Sequence, residues 1–389
     1  MDRKSGRRLK LFTPGPVELS GPARNALTGG MIHHRSEPFR RVLEDLESLL
    51  RKVFFTGNPV VTLTSSGTGA MEAALVNLFS PGDRVVVPVA GKFSARWAEI
   101  CEAFGIGVRR MELRPGESPE ADPVIDFLEE DRSVKGVLLT QCETSTGSLT
   151  DIAAVSKAIA DLGERLGSRF RVCVDCITGL CIDEFRMDEW RVDCAIGASQ
   201  KGFLSPPGLA FVALDPRMLR KSRGRGFYFD LTKYFDCAAG TPFTPAVSLV
   251  CAVRDSLGSI VELGLPAIWR AARASAASIR LIVEAAGFRP LARRQAGAVV
   301  AFWVGDLDAA LLAKALREGH GIVVAQGQRE LRGKILRVSP IGKCPSEIRE
   351  FERGLAESLR DMGESYRSEG IQAELESTME DSSLWESLR

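Results

Sequence analysis

From residue 60 onward, short apolar runs alternate with longer stretches whose apolar positions recur at helical spacing. Segments 60–64, 84–89, 108–113, 134–140, 171–174, 195–198 and 209–214 have strand length, and most are apolar throughout. That pattern suits strands buried on both faces rather than strands with one wet face. Between them, 69–79, 94–104 and 152–166 have helical periodicity, with Met71, Leu75 and Leu78 on one face of the first. Strands alternating with helices of 10–15 residues predict βαβ units and a mostly parallel sheet covered on both sides.

The pattern changes on either side of this block. Residues 11–36 are rich in turn formers and lead into a helix over 39–53. Residues 223–244 are glycine- and aromatic-rich and irregular. Beyond them come helices at 245–263 and 266–286, a strand at 299–304, a helix at 309–319, strands at 322–325 and 335–338, and a helix at 346–362. This second block reads as a smaller α+β domain. The expected organisation is an N-terminal arm (1–36), a large domain (37–255), a small domain (256–365) and a polar, acidic tail (366–389).

Composition narrows the function classes. Of 389 residues 45% are hydrophobic and 26% charged, which suits a globular chain large enough for two domains. With 51 basic and 50 acidic side chains there is no electrostatic case for nucleic acid or an acidic membrane. No apolar run approaches the ~20 residues needed to span a bilayer. The nine cysteines, an odd number, lie mostly in apolar runs, which predicts reduced thiols and a cytoplasmic setting. Cys173 and Cys176 form a CxxC on a strand, where the two side chains point to opposite faces, so no metal site is expected.

Ligands of open α/β sheets gather at the carboxyl ends of the strands, and the candidate chemistry falls there. Ser66-Gly67-Thr68-Gly69 joins a strand to a helix. Free N–H groups there can cradle a phosphate, or the serine can simply cap the helix. Phe93 opens the next helix and is either a core aromatic or a flat surface for a ring. Asp175 ends a buried strand, where a carboxylate needs a partner: a neighbouring loop or a protonated ring nitrogen. Arg337 lies in an apolar strand, and its planar fork suits a carboxylate ligand or a structural ion pair. Lys201, in Ser199-Gln200-Lys201-Gly202, sits at the mouth between two apolar strands. Desolvation there makes its amine a nucleophile toward carbonyls, unless it is an ordinary surface lysine.

Taken together, Thr13-Pro14-Gly15-Pro16, Ser66-Gly67-Thr68-Gly69, Glu143-Thr144-Ser145-Thr146-Gly147, Val174-Asp175, Ser199-Gln200-Lys201 and Lys334-Ile335-Leu336-Arg337 resemble the class V (fold type I) aminotransferases, nearest the alanine/serine–glyoxylate group. The resemblance implies a large domain with a seven-stranded, mostly parallel sheet, a smaller C-terminal domain, and pyridoxal 5'-phosphate (PLP) as cofactor. It implies that Lys201 carries PLP covalently and that Asp175 pairs with the ring nitrogen. Phe93 stacks on the ring, and Thr144 lies on the ring-hydroxyl side. Ser66, Gly67, Thr68 and Gln200 match the phosphate cradle, and Arg337 matches the group that holds the substrate carboxylate. It also implies a homodimer in which Thr241 and Thr244 complete the neighbour's phosphate site. The implied reaction moves an amino group from a small amino acid, alanine or serine, to glyoxylate or pyruvate. Ureidoglycine and aminophosphonate donors, and a non-catalytic binding subunit, remain alternatives. A cysteine desulfurase would need a loop cysteine, and 323–334 contains none.

Overall fold

The computed structural model describes residues 9–219, 226–237, 240–367 and 370–389. Residues 1–8 of the expected arm, 223–225 and 238–239 of the irregular stretch, and 368–369 of the expected tail lie outside the described residues.

A seven-stranded sheet forms from β1 (Val60–Thr64), β2 (Arg84–Val89), β3 (Gly107–Glu112), β4 (Val134–Thr140), β5 (Arg171–Asp175), β6 (Cys194–Ala198) and β7 (Leu209–Leu214). Their spatial order is β1-β7-β6-β5-β4-β2-β3. Only β7 runs antiparallel to its neighbours. Strand β7 shows why the apolar runs are continuous. Leu209, Phe211 and Ala213 belong to one core, while Ala210, Val212 and Leu214 belong to the other, each 0% exposed. A strand with both faces buried has no polar position to offer. Cys173 and Cys176 likewise fall into different cores.

Helices α1 (Glu37–Phe54), α2 (Gly67–Leu78), α3 (Lys92–Ala103), α4 (Ala121–Glu130) and α5 (Ile152–Leu166) cover the sheet. Helix α2 is buried all round rather than on the single expected face. Its fully buried Asn77 donates to the Phe229 carbonyl at 2.6 Å and accepts from the Leu231 N–H at 3.1 Å. Residues 229–231 of the irregular stretch thus lie against α2.

Helix α6 (Val247–Leu263) runs uninterrupted through the boundary expected after residue 255. Helix α7 (Leu265–Ala285) starts in the sheet's core with Leu265 and Ile268 and ends in the second core with Ile279 and Ile282. It therefore ties the two blocks together. The second block adds β8 (Arg289–Pro290), β9 (Val300–Trp303), α8 (Ala309–His320), β10 (Ala325–Gln326), β11 (Ile335–Val338) and α9 (Pro345–Asp361). The strand expected at 322–325 divides: Ile322–Val323 pairs with Lys10–Leu11 of the arm, and only Ala325–Gln326 joins β11.

The expected acidic tail is a packed element. Helix α10 (Gln372–Met379) continues into a 3-10 segment, Glu380–Leu388. Leu375, Met379, Trp385 and Leu388 are buried, and the Trp385 indole donates to Ser275 Oγ of α7 at 3.1 Å. Its acids cover the outer side while four widely spaced apolar residues anchor it, a spacing that composition alone does not register.

Candidate active site

Lys201 lies just after β6, in the turn that leads to β7, where Ser199 donates to the Pro206 carbonyl at 2.5 Å and so closes the loop. The amine donates to the Pro14 carbonyl of the N-terminal arm. Gly15 follows, and a Cβ there would stand 2.3 Å from Lys201 Nζ, so only glycine allows this approach. Burial pushes the Lys201 amine down to about 8, with Arg337 adding to that push and Cys142 and Asp175 opposing it.

Asp175 ends β5, is 6% exposed, and accepts only a local bond, from the Ile177 N–H at 2.9 Å. Burial pushes its carboxyl up to about 7. The Ile177 bond and the charges of Arg96 and Lys201 work against the rise, and Glu143 adds to it. Among the described residues, no cation lies within ion-pair distance of Asp175.

Arg337 in β11 of the second block is 6% exposed, and its charge acts on the Lys201 amine. Its fork bonds backbone: Nε and Nη2 to the Gln326 carbonyl at 3.1 and 2.9 Å, Nη1 to the Thr144 carbonyl at 3.0 Å. Among the described residues no carboxylate lies within ion-pair distance of it. Burial lowers its pKa, and nearby Glu143 partly restores it. A buried cation whose bonds go to neutral carbonyls retains charge for an anionic ligand.

Around these three stand the other expected residues. Ser66 caps α2 without a side-chain hydrogen bond and is exposed, and the first N–H groups of α2 have no partner within the helix. Gly67 packs so closely on Ile177 that a Cβ would lie 2.3 Å from its Cδ1. Thr68 Oγ1 accepts from Arg96 Nη1 at 3.2 Å. Phe93 is half-buried, with the Arg96 guanidinium 5.1 Å from its ring centroid. Thr144 Oγ1 meets Thr178 Oγ1 at 2.7 Å. Gln200 Oε1 and Thr241 Oγ1 are buried and make no hydrogen bond, and Thr244 is exposed. The Thr241 carbonyl is held by Arg35 at 2.7 Å.

Two roles escaped the sequence reading. Glu143, 2% exposed, accepts from the N–H groups of Phe93 at 3.1 Å and Ser94 at 2.8 Å and from Ser145 Oγ at 2.6 Å, so it fixes the start of α3. Arg96 links Thr68 to the Phe93 ring; it lies three residues after Phe93, one helical turn on, which was the available signal. Chemically, the arrangement suits a flat ligand with a phosphate toward Ser66–Thr68, a basic ring nitrogen toward Asp175 and a carbonyl toward Lys201. The buried Asp175 carboxyl, which has no ion-pair partner among the described residues, is the observation that makes it fit.

No family model matches the chain. It is 34% identical to the L-aspartate–glyoxylate aminotransferase of Paracoccus denitrificans, covering 85% of this chain and 86% of that protein. A solved structure, the aspartate aminotransferase of subgroup IV from Thermus thermophilus, shares 36% identity with a TM-score of 0.83, covering 90% of this chain and all of the other. The chain belongs to the class V aminotransferases. The 42 kDa subunit of a soluble hydrogenase from Anabaena cylindrica is also 31% identical, over 86% of this chain and 88% of that one. As a member of this family the chain is an aminotransferase of PLP-transferase fold, with the seven-stranded sheet that its motifs implied.

The charges make the cofactor-free aminotransferase sensitive to pH. Between about 4 and 7 the folded protein keeps a proton on Asp175 that the unfolded chain has lost, so stability falls as pH rises through that window. Asp183, pushed by burial to about 6, acts in the same direction. Lys201 acts at the other end: its buried charge costs stability at every pH below about 8, and that stability returns as pH rises from about 8 toward the ordinary 10.5. Urea unfolding of the cofactor-free protein is expected to give a minimum near pH 7–8. Asp175→Asn should flatten the acid limb; a limb of unchanged slope would remove Asp175 from this account.

Proposed function

We propose that this chain holds PLP on Lys201 and transfers an amino group from a small amino acid, alanine or serine, to glyoxylate or pyruvate in two ping-pong half-reactions. The observation that carries the reading is the meeting of an uncharged-prone lysine, an unpaired buried aspartate and a buried arginine without an acid partner.

When bound, PLP supplies an electron-poor ring that accepts the electron pair left at the substrate Cα. The chain's own residues do the rest. Asp175 keeps the ring nitrogen protonated. The rise of its carboxyl from 3.8 to about 7 corresponds to a net penalty of about 4 kcal/mol, led by burial. A cation at ~3 Å and an effective dielectric of ~20 returns about 5 kcal/mol, so pairing wins. Lys201, with its amine near 8, takes the Cα proton and delivers it across the ring face as general base and acid. Arg337 grips the α-carboxylate and orients the Cα–H bond. Phe93 backs the ring. Ser66, Gly67, Thr68 and Gln200 hold the phosphate, with Thr241 and Thr244 of a second copy completing it in a homodimer; the exposure of Thr244 supports that arrangement.

The donor has a second reading. Two relatives above 30% identity are named for aspartate, which favours a donor with a distal carboxylate. A half-reaction screen separates them: amino acids are mixed with the PLP-loaded protein, 2-oxo acids with the aminated form, and the absorbance change is recorded. Alanine or serine with glyoxylate or pyruvate should react; aspartate alone reacting would replace the small-donor reading. No helix among the described residues is long and apolar enough to cross a membrane, and all nine cysteines are free thiols, which supports a cytoplasmic setting.

A further inference from the structure

A charge cluster around the buried Lys343 joins the C-terminal element to the N-terminal arm. Lys343, 1% exposed, pairs with Glu347 at 3.0 Å and with Glu18 at 3.8 Å. Arg389 closes the cluster from the tail: it pairs with Glu18 at 3.1 Å and with Glu347, and donates to the Gly342 carbonyl at 2.8 Å. A Cβ on Gly21 would stand 2.3 Å from the Arg389 carbonyl oxygen, so tail and arm are in close contact. Lys343 also lies 4.8 Å from the Phe12 ring, and Lys10 pairs with Glu350.

Glu18 is four residues from Pro14, whose carbonyl accepts from the Lys201 amine. The stretch between them is strapped to the lysine's own loop: the Val17 N–H reaches the Gln200 carbonyl at 3.4 Å and the Ser20 N–H the Leu204 carbonyl at 2.9 Å. Cluster, arm and amine form one continuous set of contacts.

We propose that the docked C-terminal segment is a positioning element of the active site. Through the Arg389–Glu18 pair it holds the Pro14–Gly15 turn closed over Lys201 and keeps water from the amine. This rests on Lys201 being the cofactor-bearing lysine, but the effect on the amine exists without cofactor. Arg389 and Glu18 touch neither substrate nor cofactor; they act through the turn.

Charge alone and closure alone predict opposite signs at Glu18 and the same sign at Arg389. The groups acting on Lys201 directly are Cys142, Asp175 and Arg337. Removing a positive charge at Arg389 would raise the titration midpoint of Lys201 by field alone, and removing a negative charge at Glu18 would lower it. Opening the turn hydrates the amine, which raises the midpoint in both cases. The test uses the full chain without PLP. Lys201 is acylated by acetic anhydride across pH 6–11, and its modified peptide is quantified by mass spectrometry; changed access alters the plateau but not the midpoint.

Both Arg389→Ala and Glu18→Gln should raise the midpoint by at least about half a pH unit. The double variant should shift it no further than either single. Val17 and Ser20 amides should exchange faster in both. Glu376→Ala, which removes an exposed tail ion pair with Arg349, should leave the midpoint in place. A midpoint that falls in Glu18→Gln, stays unchanged in a natively folded Arg389→Ala, or moves equally in Glu376→Ala overturns the proposal. Borohydride fixation of PLP, mapped to its lysine in the parent protein, tests the underlying role of Lys201 separately.

Discussion

Lys201→Ala is expected to abolish transamination while leaving the fold intact. Two functions go at once. In the proposed reading the covalent hold on the cofactor disappears, and so does the group that carries the proton from Cα. Positioned general acid–base catalysis alone is worth roughly 10²–10⁴-fold. The fold should tolerate the change because the lysine is a burden to it. Its amine lies about 2.5 pH units below the ordinary value, so holding it charged at neutral pH costs the folded state roughly 3 kcal/mol. Against that stands one hydrogen bond to the Pro14 carbonyl, worth about 1–3 kcal/mol when an ion donates it. The variant should keep its circular dichroism and unfold at the same or a higher urea concentration. Single-turnover assays with preloaded PLP then read the chemistry. Turnover within tenfold of the parent would take Lys201 out of the reaction.

The sheet was legible because its strands are buried on both sides, which leaves short uninterrupted apolar runs separated by helices. Leu209–Leu214 shows the rule at its clearest. What escaped the reading shares a different physics. Helix α4 spans Ala-Asp-Pro-Val-Ile-Asp-Phe-Leu-Glu-Glu and buries only Val124 and Leu128, too little apolar surface to stand out. The tail is anchored by four residues within a polar stretch. The irregular segment over α2 is held by both ends of one amide, Asn77, and a polar residue inside an apolar helix does not announce its partner.

The site divides along the same line. Lys201, Asp175 and Arg337 were readable because each is a charged residue in an apolar strand or at its end. Such a group is costly to bury without a partner. The Pro14–Gly15 turn over the amine was not readable as a contact, since it joins residues 187 positions apart. Glu143 was visible in its motif, but its work lies in the N–H groups of α3, and a sequence does not show where a carboxylate points.

Arg337→Ala is expected to raise the amino-acid KM by about 10- to 150-fold, since a charge-assisted bond contributes about 1.5–3 kcal/mol. PLP affinity should change far less, because the fork bonds the Gln326 and Thr144 carbonyls and, in the proposed reading, serves the substrate rather than the cofactor. Two further effects separate a substrate role from a structural one. Truncation leaves those two carbonyls short of a donor, costing about 1–3 kcal/mol of stability, which urea unfolding reads directly. It also removes a cation that depresses the Lys201 amine, so the acid limb of the pH–rate profile, along which the base loses its proton, should move upward. Arg337→Lys restores charge but not the planar fork, and should recover the pH profile more fully than the KM. A variant that loses stability while its KM and pH profile stay put would make Arg337 a strut between β10 and the Thr144 loop, and the carboxylate would need another partner.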